Sequence, residues 1–286
     1  MEIKRSTRKR GTQDLPFQLL HFTPKRTMPE AAALFWHPEI ELLYAVGDAA
    51  MELNVNGQIH HLGDGDIYIL SPDELHCVRT LRAGGEYWSF LITPELFALP
   101  STHFFQQEFL QPLLSKKKLL PLTLEKDTPA YRGVAQQLEV LTHLDPDAPD
   151  YKPSVFLSAL TICTVLMPLC TAVDSHDRQQ KTNDRIRKCM YYMQENLHRK
   201  LTLEEIATHV HLHPNYLCKI FKACTGQSVF GCLTQLRISK AKELLRDDTL
   251  SIAQVGERSG FHSMEFFSRK FKLATGLAPS AYRKQP

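Results

Sequence analysis

The sequence predicts an α+β protein of two domains: an N-terminal β-barrel followed by helices, and an all-helical C-terminal domain with two helix-turn-helix motifs. Three observations predict it. Short strand-like runs broken by turn residues fill residues 34–92. After Pro100 the periodicity becomes helical. Beyond residue 184 a pattern of capped helices is written twice.

The strands read as "IELLYAV", "AMELNVNG", "QIHHLGDGD", "IYILS" and "EYWSFLI". Asn56-Gly57 is a hairpin signal, because both residues accept the positive φ angles that a two-residue turn needs. Gly63-Asp64-Gly65-Asp66 marks a second turn. Five or more short strands at this spacing suggest a compact barrel or sandwich. Residues 128–144 and 154–173 then read as helices, separated by the breaker-rich "DPDAPDYKP".

The second of these helices, "SVFLSALTICTVLMPLCTAV", carries no charge over a length that could cross a bilayer. Its polar residues Ser154, Ser158, Thr161, Thr164, Pro168 and Thr171 recur every three or four positions. They are expected to form one stripe of a core or subunit-interface helix, with Leu157 on the apolar face, and no membrane span is expected. "DSHDRQQKTND", residues 174–184, lacks periodicity and reads as a linker. The expected division is therefore 1–173, a linker at 174–184, and 185–286.

Charge separates the two parts. From residue 184 to 286 there are 17 Lys and Arg against 9 Asp and Glu, a balance of +8, while residues 1–183 balance at −5. A basic half of this kind suits a polyanion. Seven cysteines, an odd number with no Cys-x-x-Cys pair, indicate neither a disulfide framework nor a zinc site, and fit a reducing cytoplasm. The basic start "MEIKRSTRKRG" has no apolar run behind it and reads as a solvated tail rather than a secretory signal.

The C-terminal part is an internal duplication. Thr202-Leu203-Glu204-Glu205 and Ser251-Ile252-Ala253-Gln254 both match the capping box, a hydroxyl followed three residues later by Glu or Gln. Ala207 and Gly256 are small at equivalent places, which lets a second helix cross closely. "HPNYLCKIFKACTG" and "SMEFFSRKFKLATG" follow, and the offset between the copies grows from 49 to 50. The second turn is thus one residue longer. Gly226 and Gly276 suit left-handed helix ends, and Lys222 and Lys272 suit the negative end of each helix. A short capped helix, a tight turn and an amphipathic helix make a helix-turn-helix, whose second helix reads bases in the major groove. Tyr216, Leu217, Phe221, Phe266, Phe267 and Phe271 are assigned to the core.

On "LTLEEIA", "YLCKIFKACTG", "LRISKAKELL", "SIAQVGERSGF" and "FFSRKFKLATGLAPSAYRK", residues 185–286 resemble the double helix-turn-helix domain of the AraC/XylS family of bacterial transcription regulators. The resemblance implies that Asn215, Cys218 and Lys219 face DNA from the first reader helix, and Met264, Glu265 and Arg269 from the second. It implies readers about 34 Å apart on one face of the duplex. Asn pairs with adenine, Lys with guanine, and Glu accepts from cytosine. Arg185, Arg187, Arg237, Lys240 and Lys270 are the phosphate-contact candidates. Cys218 and Cys232 depart from the residues usual in the family.

"FWHPEIELLYAVGD" and "GDGDIYILSPDELHCV" are similar to the cupin-type sensor domain common in that family. Metal-holding cupins use two histidines and a glutamate in the first motif and one histidine in the second. Here His37, Glu41 and His76 stand at matching places, but Phe35 replaces the first histidine, so neither metal nor cofactor is expected. His37, Glu41, His76 and Trp88 are instead expected to line a pocket for a small polar effector such as a sugar or metabolite. The resemblance implies a homodimeric, ligand-responsive activator of metabolic genes, cytoplasmic and nucleoid-associated, that meets promoter DNA and RNA polymerase and is not an enzyme. Two alternatives stay open: a metal-dependent cupin enzyme fused to a DNA-binding domain, and a regulator without an effector.

Overall fold

The computed structural model describes residues 4–5, 11–12, 14–23, 35–47, 50–81, 85–173 and 178–284. Most of the basic tail lies outside them. The strands in chain order are β1 (Lys4–Arg5), β2 (Phe17–Phe22), β3 (Phe35–Trp36), β4 (Ile40–Val46), β5 (Met51–Val55), β6 (Gln58–Leu62), β7 (Ile67–Leu70), β8 (His76–Thr80) and β9 (Glu86–Ile92). They form two sheets, in the orders β1-β3-β8-β5-β6 and β2-β9-β4-β7.

The barrel expected from the sequence is therefore open. Leu43, Ala45, Tyr68 and Leu70 of one sheet meet Met51, Leu53, Val55 and Leu62 of the other. Between β6 and β7 the chain turns a corner held by main-chain bonds, Asp66 N to the Gly63 carbonyl at 3.1 Å and Gly65 N to the Ala45 carbonyl at 2.9 Å, and by side chains. Gly63 N donates to Asp66 Oδ2 at 2.7 Å, and Gly47 N to Asp64 Oδ1 at 2.7 Å. The Asn56-Gly57 hairpin forms as expected, with φ of 51° and 91°.

In the β2-β9-β4-β7 sheet, β7 and most of β4 are buried on both faces, which is why β4 reads as an apolar run interrupted only by Glu41. Its even-numbered residues, Ile40 and Leu42, face a helical layer. That layer comprises a short α1 (Gln111–Leu114), α2 (Pro129–His143) and α3 (Tyr151–Leu166). The stretch Tyr151–Leu169 is long and apolar enough to cross a membrane by composition, but its inner face packs on the sheet. The stripe on α3 differs from expectation. Ser158 is buried beside Ala159, while Leu157 is 65% exposed. The buried face follows Val155, Ser158, Ala159, Ile162, Cys163 and Leu166, and on α2 it is Gly133 that lies against Val165, where an added Cβ would come within 3.4 Å.

The C-terminal helices are α4 (Arg178–Glu195), α5 (Leu203–His209), α6 (Pro214–Thr225), α7 (Val229–Leu244), α8 (Ile252–Arg258), α9 (Met264–Thr275) and α10 (Pro279–Arg283). Helix α4 begins within the stretch read as a linker, and Asn183 there is already buried, with Cys224 Sγ 3.7 Å from its Oδ1. Helix α7 is apolar on two sides because it serves two cores. Val229, Cys232, Leu233 and Leu236 join the first helix-turn-helix unit, and Ile238, Ala241 and Leu245 the second.

Candidate nucleic-acid interface and a buried histidine–glutamate cluster

Both helix-turn-helix units form as the duplication predicts. Thr202 Oγ1 accepts from Glu205 N at 3.2 Å, and Ser251 Oγ from Gln254 N at 3.1 Å. Only the second unit closes the reciprocal half of the box, with Ser251 N donating to Gln254 Oε1 at 2.8 Å. In the first, the Glu205 carboxylate turns to Arg199 Nη2 at 2.5 Å and Tyr192 Oη at 2.7 Å instead. Four residues separate α5 from α6 and five separate α8 from α9, the extra residue inferred from the shifted offset.

Helix α6 buries Leu217, Phe221 and Cys224, spaced four and three apart along one face. That places Asn215, Cys218 and Lys219 outside, and all three are exposed. Helix α9 buries Phe267 and Phe271 and exposes Met264, Glu265 and Arg269 in the same manner. The added Cβ of an alanine at Gly256 would lie 3.1 Å from the Phe267 ring, so the two helices cross closely there. Gly226 and Gly276 end the readers at φ of 71° and 80°.

Two aromatics assigned to the core lie at the surface. Tyr216 is 47% and Phe266 38% exposed. Each precedes a fully buried residue and so is rotated about 100° off the inward face. Arg269 and Lys270 stand 5.7 and 5.5 Å from the Phe266 ring centre.

The basic candidates divide. Arg185 is exposed on α4, Lys240 pairs with Glu243 at 3.2 Å, and Lys270 is half-buried. Arg187 and Arg237 turn inward onto main-chain carbonyls. Arg187 is buried; it donates to the Asp73 carbonyl at 2.8 Å and pairs with Asp184. Arg237 donates to the Leu197 carbonyl at 2.9 Å and the Arg199 carbonyl at 2.7 Å, pinning the α4–α5 connection to α7. Each guanidinium answers carbonyls that neither helix nor sheet satisfies, a demand invisible in charge patterning.

In the N-terminal domain, His37, Glu41 and His76 do come together. Glu41 Oε2 lies 2.9 Å from His37 Nε2 and 3.0 Å from His76 Nε2. Ser89 Oγ donates to Glu41 Oε1 at 2.5 Å. On the far side of each ring, His37 Nδ1 faces Glu39 Oε2 at 3.2 Å and His76 Nδ1 faces the Glu74 carbonyl at 2.8 Å. Relative exposures of 3, 2, 7 and 3% for His37, Glu39, Glu41 and His76 make this a closed interior network.

Burial alone would lower the His37 pKa, but its bonds to Glu39 and Glu41 outweigh that and raise it to about 9. Burial would likewise raise Glu41, yet hydrogen bonds from His37 and His76 hold it well below the ordinary carboxylate value. The ligating atoms of His37, Glu41 and His76 all lie within 4.8 Å of one another, close enough to share one metal ion.

Trp88 does not join them. It pairs across from Tyr44 on the opposite face of the sheet, stacked on His21 with ring centres 3.8 Å apart. Residues 87, 89 and 91 share the Glu41 face, so Ser89 is the partner from β9. Sequence parity against Glu41 becomes readable only once the strand register is known. Glu39 was within reach of a sequence argument, lying two residues from Glu41 on the same motif.

The two sites are joined by packing. Trp36, Leu75 and Cys77 share one core with Ile186, Met190, Leu217 and Phe221 of the first helix-turn-helix unit. An added Cβ at Gly57 would lie 2.6 Å from the Ala223 carbonyl, so the β5–β6 turn touches the end of α6.

A family model described as a helix-turn-helix domain matches residues 206–285. The arabinose operon regulatory protein of Salmonella typhimurium is 28% identical over 246 residues, 81% of this chain and 79% of that one. Over its helix-turn-helix region the chain is similar to regulators of the AraC family. The MmsAB operon regulatory protein of Pseudomonas aeruginosa is 37% identical over 33% of this chain, and that match spans 31% of its own length. ToxT from Vibrio cholerae, a solved structure, aligns over 93% of this chain and 97% of its own at 14% identity and a TM-score of 0.48. The exposed reader residues lie inside the matched helix-turn-helix region, and the buried cluster lies outside it.

Proposed function

We propose that this chain is a sequence-specific DNA-binding regulator of transcription whose two reader helices, α6 and α9, dock in successive major grooves of a promoter. The observation that supports this most is the paired presentation of Asn215, Cys218 and Lys219 beside Met264, Glu265 and Arg269. Both sets are exposed on equivalent faces of a duplicated scaffold in a segment of balance +8. The two copies carry different outward side chains, so each subunit reads an asymmetric site.

The N-terminal domain holds the responsive element, since its buried polar cluster lies next to the seam with the first reader. Exposed Val140, Phe156 and Leu157 on α2 and α3 supply an apolar face for a homodimer. A cytoplasmic location, contact with RNA polymerase and activation rather than repression complete the reading, and it assigns the chain binding rather than catalysis. Footprinting of the full chain on fragments from its own neighbourhood in the genome tests it. Protection of defined asymmetric sites at moderate salt is the expected result, and binding without sequence preference would overturn it.

A further inference from the structure

We propose that Phe266 is a positioning residue of the second reader: its ring holds the Arg269 guanidinium off the Glu265 carboxylate, so that both side chains are kept for base edges. The role in recognition rests on the reading of α9 as a DNA reader; the ring contact itself does not.

Glu265 and Arg269 stand four residues apart on α9, with the acid N-terminal to the base. That is the favoured order for an ion pair on a helix surface, and both side chains are exposed. Among the described residues, however, no ion pair joins them. The Arg269 guanidinium lies instead over the Phe266 ring, 5.7 Å from its centre, and the Lys270 ammonium lies 5.5 Å from the same centre. At an exposed site a cation–aromatic contact is worth at least as much as a helical ion pair, so the ring wins the competition.

The ring is itself held in place. Phe266 N donates to Ser263 Oγ at 3.2 Å in the helix cap, and the ring meets Phe261 with centres 6.1 Å apart. Phe261 is buried and packs on Phe267, with ring centres 5.1 Å apart. Phe266 is thus anchored to the second core while 38% of it stays exposed.

The choice of partner matters for recognition. An ion pair would spend guanidinium N–H groups on Glu265, and docking would have to break it before either group reached a base. A ring accepts none of those hydrogens in the same way, so Arg269 keeps the fork that suits guanine and Glu265 the acceptor that suits cytosine. The first reader lacks the device. Tyr216 and Lys219 hold the equivalent places, Ile220 stands where the second reader has Lys270, and among the described residues no cation lies over the Tyr216 ring.

The test uses the full chain and a panel of single-base variants of a site found by footprinting. Phe266→Leu is expected to weaken binding about 2- to 5-fold, with discrimination lost at the base pair where Arg269→Ala also loses it. Phe266→Tyr keeps a ring and restores that discrimination. So does Glu265→Gln added to Phe266→Leu, because the competing carboxylate is gone. In an Arg269→Ala background, Phe266→Leu has no further effect. Additive losses, or a loss even across all base pairs, would mean that Phe266 only packs, and no rescue by Glu265→Gln would end the competition with Glu265. Should Phe266→Leu not fold, NMR of the wild-type chain without DNA decides. The Arg269 side-chain methylene protons are expected upfield of their ordinary positions, under the ring current, and ordinary positions overturn the contact. That spectrum also separates the two readings. Upfield protons in a chain that binds DNA without sequence preference end the regulator reading and leave the contact standing. Sequence-specific protection with additive losses ends this proposal alone.

Discussion

Trp36 meets Tyr191 edge-on, with ring centres 6.0 Å apart and planes at 85°, carrying the strand before His37 into the core around α4. The domains are thus joined by a shared apolar core as well as by the chain. Trp36→Ala is expected to cost about 3–5 kcal/mol, the range for emptying a fully buried aromatic site. Denaturant unfolding should split from one transition into two as the first reader loses its N-terminal support. A loss below about 1 kcal/mol with one transition kept would show that the seam contributes little.

Gly260 and Gly226 both have positive φ, but their surroundings differ. An added Cβ at Gly226 meets nothing within 4 Å, so Gly226→Ala carries only the left-handed backbone cost, about 1–2 kcal/mol. At Gly260 the same atom would lie 1.8 Å from the Leu197 carbonyl, with φ at 90°. Backbone must shift there, and Gly260→Ala is expected to destabilise at least about twice as much as the lone backbone cost. Equal losses in thermal or denaturant unfolding would mean that the α8–α9 turn is not held against the end of α4.

Much of this was legible in residue spacing. The reader helices could be placed because caps, apolar period and terminal glycines agree in two copies, so each copy checks the other. The inward turn of Arg187 and Arg237 could not be read, because it depends on which carbonyls the tertiary fold leaves unpaired. Trp88 failed for a related reason. Its face relative to Glu41 is set by the β4–β9 register, which pairs Glu41 with Leu91. Leu157 and Ser158 exchanged places because the buried face of α3 runs through Val155, Ser158, Ala159, Ile162, Cys163 and Leu166, a set that polarity alone does not mark out. The open barrel was beyond reach too, since strand count does not say whether the last ladder closes.

Glu205 gives the first unit a pH dependence. A hydrogen bond from Arg199, with a second from Tyr192, lowers its carboxyl pKa from 4.5 to about 2. A depressed acid stabilises the folded state fully above pH 4.5, and that contribution disappears as pH falls through about 2. Wild-type protein should therefore lose stability more steeply between these values than Glu205→Gln. The difference will be modest, because the group is partly exposed and screened. Superimposable acid-unfolding curves would argue that the Arg199–Glu205 pair contributes nothing in solution.

Arg237 and Lys219 separate support from recognition. Arg237 holds two main-chain carbonyls at 2.9 and 2.7 Å, so Arg237→Ala should cost about 2–4 kcal/mol of stability while leaving the salt slope of DNA binding unchanged. Lys219 is exposed on the reader face, so Lys219→Ala should change stability by no more than about 0.5 kcal/mol. Its cost should appear in DNA affinity, about 1–3 kcal/mol concentrated at particular base pairs. Arg269→Ala should behave alike at a different part of the site, because α9 and α6 present unlike residues. Binding measured on a panel of single-base operator variants checks this. If Lys219→Ala instead weakens every variant equally and lowers the salt slope by about one, Lys219 holds a phosphate and base reading falls to Asn215 and Cys218.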